Sequence, residues 1–326
     1  MNLNRGISAL SLIFILLFTN TSCSSNEDSS PDPISENETD DDETDDEYNP
    51  NFPLSDQTNT GRWVLNPNVS DEFNGSSLDE DKWQIQGKDG VYKSKFVGRQ
   101  PSQFSPNNVI VENNMLKIRT KWEPDFLFSD ATREQCGEIY TYENITTAAV
   151  ISREQFQYGY MEIRCKSAKA RVTSSFWTTG NKSELDMFEM FGDPVPGEAT
   201  MDWKKRLKFN MISWDPDNFY YLPDGNGPAY TRNIQAENTT ADDFHVYGFE
   251  WDSEFLKIYI DGKLHPNGTI LKSEVTNNGA DPDRWVTDVF YWIWFDSETF
   301  CWLGLPEETD LPVDYEIDYV RVWQNN

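Results

Sequence analysis

The chain has 326 residues and a formal net charge of −29 at pH 7, with 56 acidic side chains against 27 basic ones. Because phosphate binding needs a positive surface, this balance argues against a nucleic-acid partner. Aromatic residues make up 14% of the chain and include 12 Trp, a content that permits sugar-stacking surfaces and equally fits the core of a β-sandwich.

The first 22 residues have the features of an export signal. Arg5 supplies a positive charge, and the apolar stretch Ile7–Phe18 is shorter than a membrane span. Two small residues precede Cys23, as at the cleavage and acylation site of bacterial lipoproteins; ordinary signal cleavage with an incidental Cys23 is the alternative. The sequence therefore predicts a signal peptide over residues 1–22 and an exported, cell-surface lipoprotein held in the outer membrane through Cys23.

Residues 23–58 form an acidic segment rich in Ser, Asn and Pro. Residues 24–60 carry 13 acidic side chains and no Lys or Arg. A segment of this composition cannot bury enough apolar surface to offset the entropy lost on ordering. We therefore expect a disordered tether, followed by a folded domain over residues 59–326.

The expected domain consists of short β-rich runs separated by clusters of Gly, Asn, Asp and Pro. Residues 246–251 and 257–260, for example, flank a polar turn, as in a β-hairpin. The sequence shows no 20–50-residue repeat and no long helical period. This texture predicts an all-β domain built as an antiparallel sandwich.

The densest group of carboxylates lies in the segment 183–192 and consists of Glu184, Asp186 and Glu189. On a regular strand the first two share one face and Glu189 points to the other. One extra residue in a β-bulge would bring all three onto one face. An exposed acidic strand edge is the structural alternative. Crowded carboxyls repel one another, however, which lets one remain protonated as a general acid while another is ionised as a nucleophile.

The pattern Glu184-x-Asp186-x-x-Glu189 resembles the bulge-type signature of glycoside hydrolase family 16. Other segments between residues 60 and 324 resemble further parts of that family, in the same order. These segments are 70–75 with Lys82-Trp83, 158–164, 174–177, 244–251 with 259–262, and 317–323. The resemblance implies a concanavalin-like β-jelly-roll sandwich of two curved antiparallel sheets, with the substrate in a cleft on the concave one.

The resemblance also implies a role for each acid. Glu184 matches the nucleophile, which forms a covalent glycosyl-enzyme. Glu189 matches the acid/base residue, and Asp186 matches the assisting acid that hydrogen-bonds Glu184. Bond cleavage would proceed with retention and without a cofactor, and transfer to a sugar hydroxyl instead of water is an open variant.

The substrate is expected to be a red-algal galactan. The tail 300–306 and residues 310–312 resemble the agarase, porphyranase and carrageenase branches, and residues 176–181 look most like porphyranases. This predicts a retaining endo-hydrolase of β-1,4-galactosidic linkages, with porphyran as the first candidate. The alternatives are a β-agarase, a carrageenan or furcellaran hydrolase, a laminarin-type β-1,3-glucanase, and a non-catalytic sugar-binding surface lipoprotein.

Sulfated galactan would require cationic side chains, and pyranose rings stack on indoles. The cationic candidates are Arg133, Lys182 and Arg206, the last within the run Lys204-Lys205-Arg206; solvated surface charge is the alternative for each. Trp177 is the best candidate for a stacking platform. Trp203, Trp214 and Trp294 are weaker candidates, with core packing as the alternative.

A few residues are predicted to lie outside the chemistry. His245 is expected to be a core or supporting residue, and Asp318 matches the position at which family members bind a structural calcium ion, although one carboxylate is weak support for such a site. Cys136, Cys165 and Cys301 have no metal-binding spacing. They leave open either one disulfide with one free thiol or three buried thiols. The protein is expected to be a monomer.

Overall fold

The computed structural model describes residues 48–195, 202–216 and 228–325. Within these ranges the regular structure is almost entirely β-strand, with one α-helix, α1, at Lys272–Val275. The all-β class predicted from the sequence is therefore confirmed. The predicted signal peptide, Cys23 and the tether up to residue 47 lie outside the described residues.

The strands of the described ranges are numbered in chain order. They are β1 (Trp63–Leu65), β2 (Trp83–Ile85), β3 (Ser102–Phe104), β4 (Val109–Glu112), β5 (Met115–Trp122), β6 (Thr132–Gln135), β7 (Glu138–Thr141), β8 (Ile145–Thr147), β9 (Ala149–Ser152), β10 (Gly159–Lys166), β11 (Thr173–Thr179), β12 (Ser183–Phe191), β13 (Arg206–Ser213), β14 (Tyr230–Gln235), β15 (His245–Trp251), β16 (Phe255–Ile260), β17 (Lys263–Leu271), β18 (Trp292–Asp296) and β19 (Val313–Asn325). Short 3-10 helices span Lys88–Gly90, Lys93–Lys95, Pro106–Asn108, Trp203–Lys205, Pro282–Arg284, Cys301–Leu303 and Glu308–Asp310.

One sheet has seven antiparallel strands in the order β14-β13-β12-β11-β18-β9-β2. Strand β13 shows how its sequence sets the two faces. Leu207, Phe209 and Met211 alternate along it and are buried in the main core. Because successive strand residues point to opposite sides, Lys208 and Asn210 lie on the outward face.

The second sheet has ten strands, with the main path β17-β16-β15-β10-β19-β5-β8-β3 and with β1 and β4 paired to β19 and β5. Its pairs are antiparallel except for β3 and β8, which run parallel and depart from the prediction. The core lies between the two sheets. Phe176 of the seven-stranded sheet packs on Phe249 of the ten-stranded sheet at 5.9 Å, and Phe188 packs on Tyr247 at 5.2 Å. Burial of such rings drives the sheets together.

A smaller apolar cluster covers part of the outward face of the seven-stranded sheet. Phe104, the last residue of β3, packs there with Ile151 and Trp294, and Phe96 packs against Phe104 at 5.4 Å. This cluster fills the face above β9 and β18. The polar side chains of the face gather beyond it, on β11, β12 and β13.

The structure decides between the two cysteine alternatives. Cys136 and Cys301 form a disulfide, and Cys165 is a buried free thiol. Cys136 lies in the turn between β6 and β7, which pair with each other as a separate two-stranded sheet. An isolated hairpin is marginally stable in water. The disulfide stabilises this one by linking it covalently to the segment after β18.

The chain joins the sandwich earlier than predicted. Residues 48–58, assigned to the tether from their composition, pack on the ten-stranded sheet. The Leu54 N–H donates to Glu162 at 2.8 Å, and the Trp323 indole donates to the Asn51 carbonyl at 2.7 Å. The predicted boundary at residue 59 therefore moves back to Tyr48, the first residue that the structure describes. None of the helices in the described ranges is both long and apolar enough to cross a bilayer.

Candidate active site

Strand β12 contains the extra residue predicted from the spacing of its acids. Three steps along β12, from Asp186 to Glu189, match two steps along β13, from Asn210 to Lys208. The side chain of Met187 is completely buried, as is that of the residue after it. Two consecutive inward side chains reset the alternation, so the three carboxyls share the outward face. The predicted bulge is confirmed.

Glu184 lies near the start of β12 and is half-buried. The Trp214 indole donates a hydrogen bond to its Oε2 at 3.0 Å. Burial and the neighbouring charge of Asp186 raise the pKa of Glu184 well above its ordinary value, and the bond from Trp214 opposes this rise. Burial and the neighbouring acid thus disfavour the charged form of Glu184, and Trp214 is the donor that favours it.

Asp186 is 6% exposed and accepts a hydrogen bond from Asn210 Nδ2 at 2.7 Å. The Thr231 hydroxyl donates to the side-chain oxygen of Asn210, Oδ1, at 2.8 Å. This bond orients the side-chain amide so that Asn210 Nδ2 faces the acids. Burial and the charge of Glu189 raise the pKa of Asp186 to about 7, against the opposing bond from Asn210. Because Glu184 and Asp186 are neighbours, the two carboxyls take up and release protons as a pair.

Glu189 is held by two donors from β13. Its Oε2 accepts from Lys208 Nζ at 2.8 Å and from Asn210 Nδ2 at 3.2 Å. Burial lowers the pKa of Lys208, but the charge of Glu189 and its hydrogen bond outweigh that effect and raise it overall. Lys208 is therefore a fixed cation against the carboxyl that the family resemblance assigns to acid/base catalysis.

Trp177 forms the upper layer of a two-indole stack. Its ring lies on Trp294 with centroids 4.5 Å apart and planes at 27°. Trp177 is half-buried, whereas Trp294 is 2% exposed and donates to Thr179 Oγ1 at 2.9 Å. The prediction that Trp294 contacts substrate is wrong, because the ring is covered; it supports Trp177 from below. Trp177 retains the exposure that a stacking platform needs.

Arg206 is held by aromatic rings instead of by an acid. Its guanidinium lies 4.7 Å from the Phe191 ring centroid and 4.6 Å from that of Trp203. Within the described residues no carboxylate lies within ion-pair distance of Arg206, and its Nε has no hydrogen-bond partner. Trp203, predicted as a sugar contact, thus makes a cation–π contact that positions Arg206, and the Arg206 guanidinium can bind an anion.

The other two predicted cations differ in their surroundings. Arg133 projects from β6 of the disulfide-tied hairpin, is half-buried, and makes no ion pair with any carboxylate in the described part of the chain. Lys182, in the turn between β11 and β12, is 52% exposed and pairs with Asp215 at 3.0 Å. Of the three predicted cations, Arg133 and Arg206 are therefore the two without an ion pair among the described residues.

The positions predicted to be structural lie on the ten-stranded sheet. His245 Nδ1 is 2.8 Å from Asp261, in keeping with a supporting role. The Asp318 carboxylate is 2.5 Å from the Arg164 guanidinium, and a cation already in contact makes this carboxylate a poor calcium ligand. In the parts of the chain that the structure describes, no cluster of three His, Cys, Asp or Glu side chains could hold a metal. The residues at Asp318 do not fit calcium.

Several residues of the site escaped the sequence interpretation. Lys208 and Asn210 could have been found, because the run Arg206–Ser213 alternates polar and apolar residues as a half-buried strand does. Asp296 and Glu298 carry no such signal, since they lie more than 100 residues from the catalytic segment and only the fold brings them to the same sheet face.

A β-sandwich with three adjoining carboxyls and an indole platform on the outward face of one sheet has the groups that a glycoside hydrolase needs. Comparison with known proteins gives the same class. The family model for the glycoside hydrolase family 16 domain of β-porphyranases A–D matches residues 63–325. The chain belongs to glycoside hydrolase family 16.

Relatives of the chain include proteins named as porphyranases and proteins named as glucanases. It is 28% identical to β-porphyranase B of Zobellia galactanivorans over 283 residues, covering 80% of this chain and 85% of the relative. The crystal structure of porphyranase B from that organism superposes with a TM-score of 0.60 at 26% identity, covering 80% of this chain and 92% of the other. A glucan endo-1,3-β-glucosidase A1 of Niallia circulans is 25% identical and covers 85% of this chain, which spans 42% of that protein.

Proposed function

We propose that this glycoside hydrolase cleaves internal β-1,4-galactosidic linkages of a sulfated red-algal galactan of the porphyran type, with retention of configuration. The observation that carries the proposal is the match of residues 63–325 to the porphyranase family model. The guanidinium of Arg206, at the start of β13 and next to the last residue of the catalytic strand, has no carboxylate partner among the described residues. It supports a sulfated substrate, because a planar fork of donors suits a sulfate group.

The three acids divide the reaction between them. Glu184 attacks the anomeric carbon, the bond to the leaving oxygen breaks, and that oxygen takes the proton of Glu189. Water then gives its proton to Glu189 and its oxygen to the anomeric carbon, which releases Glu184. Asp186, beside Glu184 and bonded to Asn210, supports the nucleophile through both steps.

The first step requires Glu184 to be ionised and Glu189 to be protonated when the glycosidic oxygen arrives. Burial and the charge of Asp186 raise the pKa of Glu184, and the hydrogen bond from the Trp214 indole opposes this rise by favouring the ionised form that attacks.

The anchored, exported state is part of the same proposal. A lipid on Cys23 would keep the enzyme at the outer surface of the cell, where a polysaccharide too large to cross the membrane is encountered. The acidic segment after Cys23 would act as a spacer between the lipid and the domain. The catalytic domain is proposed to act as a monomer.

The direct test is to incubate the purified protein with porphyran, agarose, κ-carrageenan and laminarin, and to follow new reducing ends. We expect the fastest cleavage with porphyran, giving a broad range of oligosaccharide sizes early in the reaction, as endo-cleavage does. NMR of the first products should show the β-anomer. Glu184→Gln and Glu189→Gln should each lower kcat at least about 10³-fold while leaving oligosaccharide binding measurable.

The cation test uses Arg206→Lys and Arg206→Ala. Both should lower kcat/KM on porphyran, by roughly 10-fold or more for the alanine variant, and change it little on enzymatically desulfated porphyran. Cleavage of laminarin without cleavage of any galactan would overturn the proposed substrate. It would favour instead the glucanase alternative, which the similarity to the Niallia circulans enzyme supports. Full activity in Glu184→Gln would overturn the mechanism.

A further inference from the structure

Asp296 lies in the same cross-strand row as the acid/base carboxyl. Ser175 of β11 is opposite Glu189 on one side and opposite Asp296 of β18 on the other. Asp296 is 1% exposed, so it cannot touch a substrate. A buried carboxyl at this position must act, if it acts at all, through the side chain that it contacts.

That contact is with the predicted stacking platform. The Trp177 indole N–H donates to Asp296 Oδ2 at 3.0 Å. The ring of Trp177 is otherwise fixed from below by Trp294, whose own N–H is bonded to Thr179. Stacking on Trp294 constrains the plane of the upper ring through one face only. The bond to Asp296 fixes the position of its N–H edge and so restricts the χ1 and χ2 torsions of Trp177.

We propose that Asp296 is a positioning residue that locks the Trp177 ring in the orientation in which it stacks on a pyranose next to the cleavage site. The proposal deepens the function proposed above and rests on it, because the ring must face a sugar for its orientation to matter. Losing the bond would leave the chemical groups in place and would weaken sugar binding.

The chemistry of the neighbourhood suits a neutral acceptor. Burial and the charge of Glu298 raise the pKa of Asp296 well above its ordinary value, and the bond from Trp177 opposes this. Only one oxygen of the carboxyl, Oδ2, accepts the indole N–H. Asparagine has the same shape and also offers one accepting oxygen, so it should replace Asp296, whereas leucine should not.

The first experiment compares Asp296→Leu and Asp296→Asn with the wild type on the polysaccharide that the wild type cleaves. We expect Asp296→Leu to raise KM by about 5- to 10-fold, the size of one lost hydrogen bond, with kcat within about 2-fold. Asp296→Asn should restore a KM close to that of the wild type. An unchanged KM in Asp296→Leu, or a failure of asparagine to restore it, would overturn the proposal.

The second experiment uses Trp177→Phe, which keeps a stacking ring and removes the N–H. In this background Asp296→Leu should have no further effect on KM, because the bond is already absent. Equal effects of Asp296→Leu in both backgrounds would show that Asp296 acts by another route. Asp71→Leu is the matched control: it breaks a similar indole-to-carboxyl bond, from Trp83 at 2.8 Å, away from the catalytic strand, and should lower Tm without changing KM.

A readout without substrate separates this inference from the proposed function. Acrylamide quenching of Trp fluorescence should increase in Asp296→Leu relative to the wild type, and the increase should vanish in the Trp177→Phe background. If the wild type cleaves none of the four polysaccharides, the proposed function fails while this quenching difference still tests the lock. Absence of the quenching difference would overturn the lock even in an active enzyme.

Discussion

Lys208 is one of two donors that hold the acid/base carboxyl in place. Its ammonium group is 2.8 Å from Glu189 Oε2, and Asn210 Nδ2 supplies the other donor at 3.2 Å. A misplaced acid/base group transfers its proton less well. We therefore predict that Lys208→Met lowers kcat/KM by roughly 10-fold, the size of one lost charged hydrogen bond.

Lys208→Arg is the matched variant, since it keeps a cationic donor at this position. Its kcat/KM should stay closer to that of the wild type than the kcat/KM of Lys208→Met. Equal kcat/KM values for the methionine variant and the wild type would show that Lys208 does not help to position Glu189.

Asp186 links the site to the stability of the fold. Its pKa of about 7 in the folded protein is far above the ordinary value of 3.8. A carboxyl with a raised folded-state pKa stabilises the fold fully below its unfolded pKa, and this contribution is lost as pH rises toward the folded value. Asp186→Asn is neutral at every pH. It should therefore unfold with a free energy about 1–4 kcal/mol above the wild type at pH 7.5.

The comparison at low pH completes this prediction. At pH 4 the wild-type carboxyl is protonated in the fold, so the advantage of Asp186→Asn should largely disappear. Urea denaturation at the two pH values measures both differences. A stability gain that is equal at pH 4 and pH 7.5 would mean that it does not come from ionisation of Asp186.

At the scale of the strand, the bulge in β12 comes from a single residue. Removing Met187 would leave Glu184, Asp186 and Glu189 alternating regularly with apolar residues, and Glu189 would remain opposite Lys208. We therefore predict that deletion of Met187 keeps measurable activity, although it removes a fully buried side chain and should lower the free energy of unfolding by about 2–5 kcal/mol.

Met187→Ala is the matched control, because it removes most of the same buried volume and retains the bulge. Both variants should lose similar stability, and their kcat values should agree within about 10-fold. If Met187→Ala is active and the deletion is completely inactive, the bulge itself would be needed to orient the acids.

The elements differ in how far the sequence determines them. The period of side chains along one strand is local, so the spacing of Glu184 and Glu189 was sufficient to predict the bulge. The burial of Trp294 was not predictable, because it depends on packing against Phe104, which lies on β3, nearly 200 residues earlier in the chain. The same holds for Asp296, whose partner Trp177 comes from another strand. Tertiary contacts of this kind leave no periodic signal.

At the scale of the whole molecule, composition misassigned the segment 48–58. A segment with few apolar side chains is expected to stay disordered, because it can bury little apolar surface. Here much of the attachment comes from backbone groups: the Leu54 N–H bonds Glu162, and the Asn51 carbonyl accepts from Trp323. Main-chain donors and acceptors are present in every sequence, so composition alone could not reveal this docking.

A truncation measures the contribution of this segment. Glu162 is fully buried, and burial raises its pKa, while the Leu54 N–H and the Tyr319 hydroxyl oppose the rise by stabilising the ionised form. A chain that starts at residue 59 loses the Leu54 donor and the acceptor for Trp323. It should unfold with a free energy about 2–5 kcal/mol below that of a chain starting at residue 48.

This difference in unfolding free energy should widen as pH rises from 4 to 8, because the lost donor matters most when Glu162 is ionised. Glu162→Gln in both chains should remove this pH dependence, and a gap that is constant with pH would contradict the assigned role of Leu54.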